Sequence, residues 1–261
     1  MIPFLLEKGF RVIVPDMIGY GQTVRYCRAL TFFLKIKKKL TKYQDAPRVP
    51  PADISVYSMK NHAADMVELL KILNVPKVIL FGHDWYYLLY LILASSSTNM
   101  WQNPRGGVVT SRIYLYHGEI VSHIANVCTP FLPPTRQYIP IRELVATKMP
   151  TFKYQIALQD PQTEKDTEAP GKVRQFLNGL HRGHGDESGK FQVDKDIVEK
   201  IGNPGRSKFM SEEDLDYFAK EFERNGFHGP LNWYKTRKAN YEDEKEYSPS
   251  SCSRRYQLIR C

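Results

Sequence analysis

Short apolar runs and one amphipathic segment organise the first half of the chain. The run Lys77–Phe81 is bounded by Pro76 and Gly82, which is typical of a buried strand in a parallel sheet. The run Phe10–Pro15, which follows Gly9 and ends at Asp16, and residues Val121–Val127 predict two further strands. In residues 58–73, between the first two runs, apolar positions recur at spacings of three and four behind Ser58, an expected N-cap. This order of strand, helix and strand predicts a βαβ unit with a right-handed crossover.

Helical patterns dominate the second half of the chain. Beyond Pro134 the strand signal fades. Residues 211–214 resemble a capping box, with Asp in place of the usual Glu, and predict a helix that closes at Gly226. The polar residues 161–189 predict a loop-rich passage.

Two segments interrupt these patterns. Residues 24–44 contain seven Lys or Arg and no acid, and their central part could form a basic amphipathic helix at a membrane or on RNA. We favour the interpretation that this segment is foreign to the fold. Residues 86–105 begin with Tyr and Leu and continue with Ser, Thr and Asn, again without an acid.

The distribution of charge along the chain limits the classes of binding partner that we expect. The 261 residues carry a formal net charge of +9, which by itself would suggest nucleic-acid binding. The excess of basic residues lies in residues 24–44, 86–105 and 247–261, and the rest of the chain is slightly acidic. We therefore expect no nucleic-acid partner, with RNA binding by residues 24–44 as a secondary hypothesis.

Cysteine usage and hydropathy indicate the cellular compartment of the protein. Three of the four cysteines lie in the same three segments and no CxxC or metal-ligand spacing is present, so we expect no disulfide framework and no metal site. The first residues lack the basic start and apolar run of a signal peptide. Residues 86–94 are apolar but fewer than half of the roughly 20 residues that a membrane span needs. We expect no membrane partner and a cytoplasmic location.

The most informative motif is Gly82-His83-Asp84-Trp85, at the carboxyl end of the second predicted strand. In a nucleophile elbow, a tight turn between a strand and a helix lifts one side chain above the sheet, and Gly usually stands two positions to either side. Gly82 fills the first position for Asp84, but Tyr86 stands at the second. As an alternative, Asp84 is a carboxylate that stabilises a helix N-terminus.

Removing residues 86–105 restores the missing elbow glycine. Trp85 would then be followed directly by Gly106 and Gly107, at a position where a Cβ would clash with the strand end. The segment 24–44 begins with Val and ends with Gln, which GT and CAG splice borders could encode. Our hypothesis is that both segments are translated introns.

The joined motif His-Asp-Trp-Gly-Gly resembles the nucleophile motif of the epoxide hydrolases, which belong to the α/β-hydrolase superfamily. Residues 152–159 are similar to the cap segment around the first ring-opening tyrosine of that family, here Tyr154. Residues 226–234 are similar to the segment that bears the second, here Tyr234. The resemblance covers most of residues 2–242 outside the two interrupting segments.

The resemblance implies an α/β fold. We expect an α/β-hydrolase core with a mostly parallel sheet plus a helical cap, and a core that is incomplete at both ends. The expected domains are a partial core at residues 1–140, with inserts at about 24–44 and 86–105, a helical cap at 141–242, and an irregular tail at 243–261.

The resemblance also implies site residues. Asp84 would be the nucleophile that opens an epoxide and forms an ester with it. Tyr154 and Tyr234 would donate hydrogen bonds to the departing oxygen, and the backbone N–H of Trp85 would form part of the oxyanion hole. The implied partner is a small-molecule epoxide, without cofactor or metal, and the oligomeric state is open.

Two parts of the family pattern have no counterpart here. The His-Gly-x-Pro loop that supplies the other oxyanion contact lies upstream of the region that this chain resembles. The water-activating His and its acidic partner follow the cap in the family, whereas the 27 residues after Tyr234 contain no His. We therefore expect little or no turnover, and at most a single alkylation of Asp84.

Two other functions stay open. A haloalkane dehalogenase would use the same Asp84 with a halide-holding Trp such as Trp85, although the two cap tyrosines disfavour it. A non-catalytic binding protein would retain the pocket of the cap without chemistry.

Overall fold

The computed structural model describes residues 2–20, 53–83, 87–94, 106–127, 131, 133–181, 205–206 and 210–247. The chain divides into two compact units. The first comprises Met1–Ile18, Gln22–Tyr138 and Lys238–Cys261, and the second comprises Gly19–Gly21 and Ile139–Arg237. The predicted insert at residues 24–44 and the chain beyond Tyr247 lie outside the described residues. The domain limits given above stay predictions.

Helices and strands follow one another in the first unit. Its described elements are α1 (Ile2–Glu7), β1 (Phe10–Ile13), α2 (Met59–Ile72), β2 (Val78–His83), β3 (Tyr87–Ala94), α3 (Gly106–His117) and β4 (Val121–Val127), with 3₁₀ turns at Ile54–Tyr57 and Gly118–Ile120. The expected N-cap is confirmed, because the Ser58 hydroxyl accepts a hydrogen bond from the Asn61 N–H at 3.4 Å.

The strands form one sheet in the order β1-β3-β2-β4. Strands β2 and β4 pair in parallel, whereas β3 pairs antiparallel with both β1 and β2. Strands β1, β2 and β4 therefore share one direction, as the βαβ pattern predicted. Of the described strands, only β3 runs against them.

Strand β3 is the element that the sequence pattern did not predict. It lies within residues 86–105, which we interpreted as a translated intron, yet its backbone is hydrogen-bonded between β1 and β2. Ile92 is opposite Val12 of β1 on one side and opposite Ile79 of β2 on the other. The segment thus occupies the place where a βαβ unit would pair its two strands directly.

Strand β2 has apolar side chains on both of its faces. Val78 and Leu80 are almost completely buried. Ile79 and Phe81, which alternation places on the opposite face, pack against the apolar cluster around Val12. A continuous apolar run is what an inner strand with two covered faces requires.

A buried ion pair connects α3 to helix α10 (Arg237–Glu244), which follows the second unit in sequence. The Nε and Nη2 groups of Arg112 each donate to one carboxylate oxygen of Glu244 at 2.7 Å. The two side chains are only 11% and 5% exposed. Beside this pair, the Met59 N–H at the start of α2 donates to Asn240 Oδ1 at 2.8 Å. Helix α10 therefore completes the first unit.

The described elements of the second unit are helical, as predicted. They are α4 (Ile141–Thr147), a 3₁₀ turn at Pro150–Phe152, α5 (Lys153–Ala157), α6 (Pro161–Glu168), α7 (Lys172–Leu180), α8 (Glu212–Asn225) and α9 (His228–Lys235). The capping box is confirmed: the Asp214 N–H donates to the Ser211 hydroxyl at 3.0 Å, and the Ser211 N–H donates to Asp214 Oδ2 at 3.3 Å.

The prediction of a loop-rich passage at residues 161–189 is wrong for Pro161–Glu168 and Lys172–Leu180, which form the helices α6 and α7. Helix α6 begins at Pro161 behind Asp160, whose carboxylate accepts an N–H of the first turn at 2.9 Å. Its buried positions are Thr163 and Thr167, whose hydroxyls donate to backbone carbonyl groups at 2.7 and 2.8 Å. Because threonines replace apolar residues on the buried side, the helix has no apolar stripe.

Replacing Glu244 by Ala is expected to lower the free energy of unfolding by about 3–5 kcal/mol, because the Arg112 charge then stays buried without its carboxylate. Chemical denaturation measures the change. A double variant, Arg112→Met with Glu244→Leu, removes both charges and is expected to recover most of the loss.

The exposed pair of Glu242 and Lys245 provides the control. Their charged groups lie 2.8 Å apart with side chains 50% and 45% exposed, so Glu242→Ala is expected to change stability little. Equal effects of Glu244→Ala and Glu242→Ala would contradict a stabilising role of the buried pair.

Deleting residues 86–105 is expected to raise the melting temperature. Strands β1 and β2 already run in the same direction, so they can pair directly once β3 is removed. Thermal denaturation followed by circular dichroism gives the melting temperature, and hydrogen exchange reports protection of β1 and β2. Deleting residues 24–44 is the control of similar length that retains β3. A deletion variant of residues 86–105 that unfolds would instead establish β3 as an integral strand.

Candidate active site

Asp84 and Trp85, with the predicted elbow, lie outside the described residues. Strand β2 ends at the preceding residue, His83, and Gly82 is opposite Leu89 of β3 on one side and Asn126 of β4 on the other. The described chain therefore leads up to Asp84 along an inner strand. The carboxyl end of such a strand is where open α/β sheets place their ligands.

A buried polar network lies where α3 begins. The Asn126 amide donates to the carbonyl oxygen of Gly107 at 3.1 Å. The Thr110 hydroxyl lies 2.6 Å from Asn126 Oδ1 and 2.9 Å from the same carbonyl oxygen, to which the Ser111 hydroxyl also donates at 3.0 Å. Three side chains thus fix the backbone of Gly107, one of the two glycines that the joined motif would place at the elbow.

The two predicted ring-opening tyrosines are in contact within the second unit. Tyr154 lies on α5 and Tyr234 lies on α9, and their ring centroids are 6.3 Å apart with an interplanar angle of 84°. This is an edge-to-face arrangement. Both rings are half-buried against the apolar cluster that includes Leu158, Phe227 and Leu231. The fold therefore brings together two phenols that are far apart in the sequence.

The residue that follows Tyr154 contacts its hydroxyl. Gln155 is 5% exposed, and its Nε2 donates to the Tyr154 oxygen at 3.4 Å. Because the phenol oxygen is the acceptor in this bond, the bond does not use the phenol proton.

Helix α9, which carries Tyr234, is fixed at its start by helix α6. The Phe227 N–H, at the N-cap position of α9, donates to Glu168 Oε1 at 2.8 Å. A carboxylate here also interacts favourably with the positive end of the helix dipole. The Phe227 ring stacks on Phe222 at 4.6 Å and meets Phe176 edge-on at 5.2 Å.

Two glycines bring the turn after β1 against α9. A Cβ on Gly19 would lie 2.7 Å from the Gly229 Cα, and a Cβ on Gly229 would lie 2.5 Å from the Gly19 Cα. Gly19 also has a φ of 87°, in the left-handed region. The next residue, Tyr20, contacts the rings of Phe222 and Trp233 edge-on. Backbone atoms on both sides of the glycine contact leave no room for a side chain.

Sequence reasoning missed Asn126 and Glu168. Asn126 carries a usable signal, because it is a polar residue near the carboxyl end of a parallel strand. Glu168 carries no local signal, since its partner Phe227 is 59 positions away. The contact between Gly19 and Gly229 likewise carries no local signal, because the two glycines are far apart in the sequence.

Metal-ligand clusters and membrane-spanning helices are absent from the described part of the chain. Within it, no group of three or more His, Cys, Asp or Glu side chains could hold a metal ion. The described helices also include none that is long and apolar enough to cross a membrane.

Comparison with known proteins identifies similar sequences and a similar fold. The family model for the alpha/beta hydrolase fold matches residues 1–85. The epoxide hydrolase srdG of Neurospora crassa is 31% identical over 251 residues, which cover 93% of this chain and 60% of that protein. The bifunctional epoxide hydrolase 2 of Mus musculus is 27% identical over 247 residues, which cover 92% of this chain and 36% of that protein.

A solved structure shows the same fold. A mutant epoxide hydrolase from Vigna radiata superposes with a TM-score of 0.61 at 20% sequence identity, over 90% of this chain and 60% of that protein. The chain thus has an α/β-hydrolase fold. Its resemblance to the epoxide hydrolases, predicted from the motifs, is confirmed. The chain spans 60% and 36% of the lengths of the two curated relatives.

Replacing Gly229 by Ala is expected to destabilise the protein by about 1–3 kcal/mol, because the new methyl group meets the Gly19 backbone and no side chain can give way. Chemical denaturation measures this loss. Gly205→Ala is the control, since a Cβ on Gly205 has no atom within 4 Å. Equal stability of the two variants would show that the contact tolerates a side chain.

Proposed function

We propose that this protein is an epoxide hydrolase-like α/β hydrolase that opens epoxides through an ester on Asp84. The proposal is supported by the resemblance to epoxide hydrolases and by the contact between Tyr154 and Tyr234. The tyrosine contact carries the proposal, because two separate motifs mark these tyrosines as donors and their ring centroids lie 6.3 Å apart.

In the proposed first step, a carboxylate oxygen of Asp84 attacks one epoxide carbon and forms an ester bond. The bond between that carbon and the ring oxygen breaks, and its electron pair stays on the oxygen. Tyr154 and Tyr234 donate hydrogen bonds to this oxygen, and one of them transfers its proton and regains one from water. Neutral phenols suit this role, because an alkoxide is a strong base and phenols donate without adding a buried charge.

The proposed second step is hydrolysis of the ester, with the backbone N–H of Trp85 stabilising the oxyanion. This step needs a base to activate water. The 27 residues after Tyr234 contain no His, so we infer that a polypeptide of these 261 residues forms the ester once and does not release it. The proposed partner is a small-molecule epoxide, and the proposed location is cytoplasmic.

The dehalogenase and binding-protein hypotheses are less well supported. A departing halide is a weak base and does not require paired phenols as proton donors, whereas an alkoxide does. A purely binding role gives no reason for two phenols to meet beside one apolar cluster.

Incubation of the purified protein with styrene oxide is expected to add one epoxide mass per chain, on Asp84. Intact-mass spectrometry follows the reaction and peptide mapping gives the position. Asp84→Asn is expected to abolish this adduct. Tyr154→Phe and Tyr234→Phe are each expected to slow its formation by about 100-fold, the usual range for one proton donor.

Tyr217→Phe is the matched control, because Tyr217 lies on α8 in the same unit with its side chain exposed. It is expected to react at the wild-type rate. Release of several diol molecules per chain would contradict the single-turnover proposal. Halide release from a haloalkane would favour the dehalogenase, and ligand-induced stabilisation without any adduct would favour the binding protein.

A further inference from the structure

A chain of hydrogen bonds links helices α6 and α9 through four side chains. Glu164 Oε1 lies 2.8 Å from His228 Nδ1. His228 Nε2 lies 2.7 Å from Asn232 Nδ2, and Lys235 Nζ lies 3.1 Å from Asn232 Oδ1. We name these four residues the Glu164 relay.

The chemistry of the groups fixes the position of each proton. The Lys235 ammonium can only donate, so the oxygen of the Asn232 amide faces it. The amide nitrogen of Asn232 therefore faces His228 Nε2 and donates to it. Since Nε2 accepts, the imidazole proton is on Nδ1, where the Glu164 carboxylate accepts it. The relay thus favours the tautomer of His228 with its proton on Nδ1.

His228 is unsuited to act as the base of the second step. Its pairing with Glu164 resembles an acid–histidine dyad, but the Nε2 that would take a proton from water already accepts from the Asn232 amide. Asn232 is completely buried, so a proton on Nε2 would leave its amide facing another donor.

The relay holds helix α9 on the side opposite to Tyr234. His228 and Asn232 are four positions apart and share one face of the helix. Tyr234 follows Asn232 by two residues, which places it about 200° further around the helix. On α6, Glu164 and Glu168 are also four positions apart, and Glu168 accepts the Phe227 N–H. Two carboxylates of α6 therefore fix both the start of α9 and its rotation.

We propose that Glu164, His228 and Asn232 are positioning residues that set the orientation of Tyr234 towards Tyr154. Loss of the relay lets α9 rotate and moves the Tyr234 hydroxyl away from the position in which it donates together with Tyr154. The effect on ring opening rests on the proposed function, whereas the effect on the tyrosine geometry does not.

The first test is the tautomer of His228. Nitrogen-15 NMR of the labelled protein distinguishes the two ring nitrogens, and His228→Gln identifies the His228 signals among those of the seven histidines. A proton on Nδ1 with Nε2 unprotonated supports the relay. A proton on Nε2 overturns it.

The second test separates positioning from substrate binding. Formation of the Asp84 adduct is followed at several styrene oxide concentrations, and tyrosine signals are followed in protein labelled on its tyrosine rings. Glu164→Ala is expected to slow the limiting rate by about 10- to 100-fold without changing the half-saturating concentration, and to shift the Tyr234 and Tyr154 signals. Glu164→Gln keeps an acceptor for Nδ1–H and is expected to restore most of the rate.

Lys165→Ala is the matched control, because Lys165 is the exposed neighbour of Glu164 on the same helix. It is expected to match the wild type in rate and in tyrosine signals. If Glu164→Ala does not fold, His228→Asn takes its place, since it keeps a donor to Glu164 but loses the acceptor for Asn232.

The outcomes separate this inference from the proposed function. A wild type that forms the adduct, together with an unchanged rate in Glu164→Ala, overturns the inference and leaves the function standing. If the wild type forms no adduct, the proposed function fails and the tyrosine signals decide the inference: a shift in Glu164→Ala supports it, and unchanged signals overturn it.

Discussion

The contact between the Gly19 and Gly229 backbones is the constraint on which the second unit depends most. It sets the position of the first turn of α9, because atoms on both sides are backbone and cannot move aside. The other interactions of that turn follow from its position, including the capping of Phe227 by Glu168 and the approach of His228 to Glu164. The contact between Tyr154 and Tyr234 therefore depends, through the position of α9, on the close approach of Gly19 and Gly229.

The ion pairs of the two units differ in their exposure to solvent. The Arg112–Glu244 pair is almost completely buried, so removal of one partner leaves the charge of the other buried without its counter-ion. Glu164 and His228 are 25% and 29% exposed, and water can replace part of their interaction. The first pair accordingly affects mainly the stability of the fold. The second pair is suited to orient helix α9 while contributing little to stability.

Periodic patterns and turn chemistry made much of the fold predictable. Strands β1, β2 and β4, helix α2 and the capping box at Ser211 all follow from local signals. Helix α6 was missed because Thr163 and Thr167 line its buried side. Strand β3 was missed because its apolar run was assigned to a segment outside the fold, and a short apolar run has no signal for the direction in which it pairs.

The site was predictable only where family motifs mark it. Tyr154 and Tyr234 were predicted because each lies in a recognisable segment, and the structure brings their rings together, while their roles stay predictions. Glu164, Glu168 and Asn126 act through partners that are distant in sequence or on another element, which no local pattern encodes. The interactions that orient a site are therefore harder to infer from the sequence than the residues that carry its chemistry.

The position of α10 in the sequence has a consequence for the order of events during synthesis on the ribosome. Arg112 and the start of α2 emerge long before Glu244 and Asn240, their partners, because residues Ile139–Arg237 of the second unit lie between them. The first unit is thus left incomplete while residues 139–237 are translated, because Glu244 is not yet available to Arg112. Chaperones that recognise incompletely folded domains are expected to bind this chain during that interval.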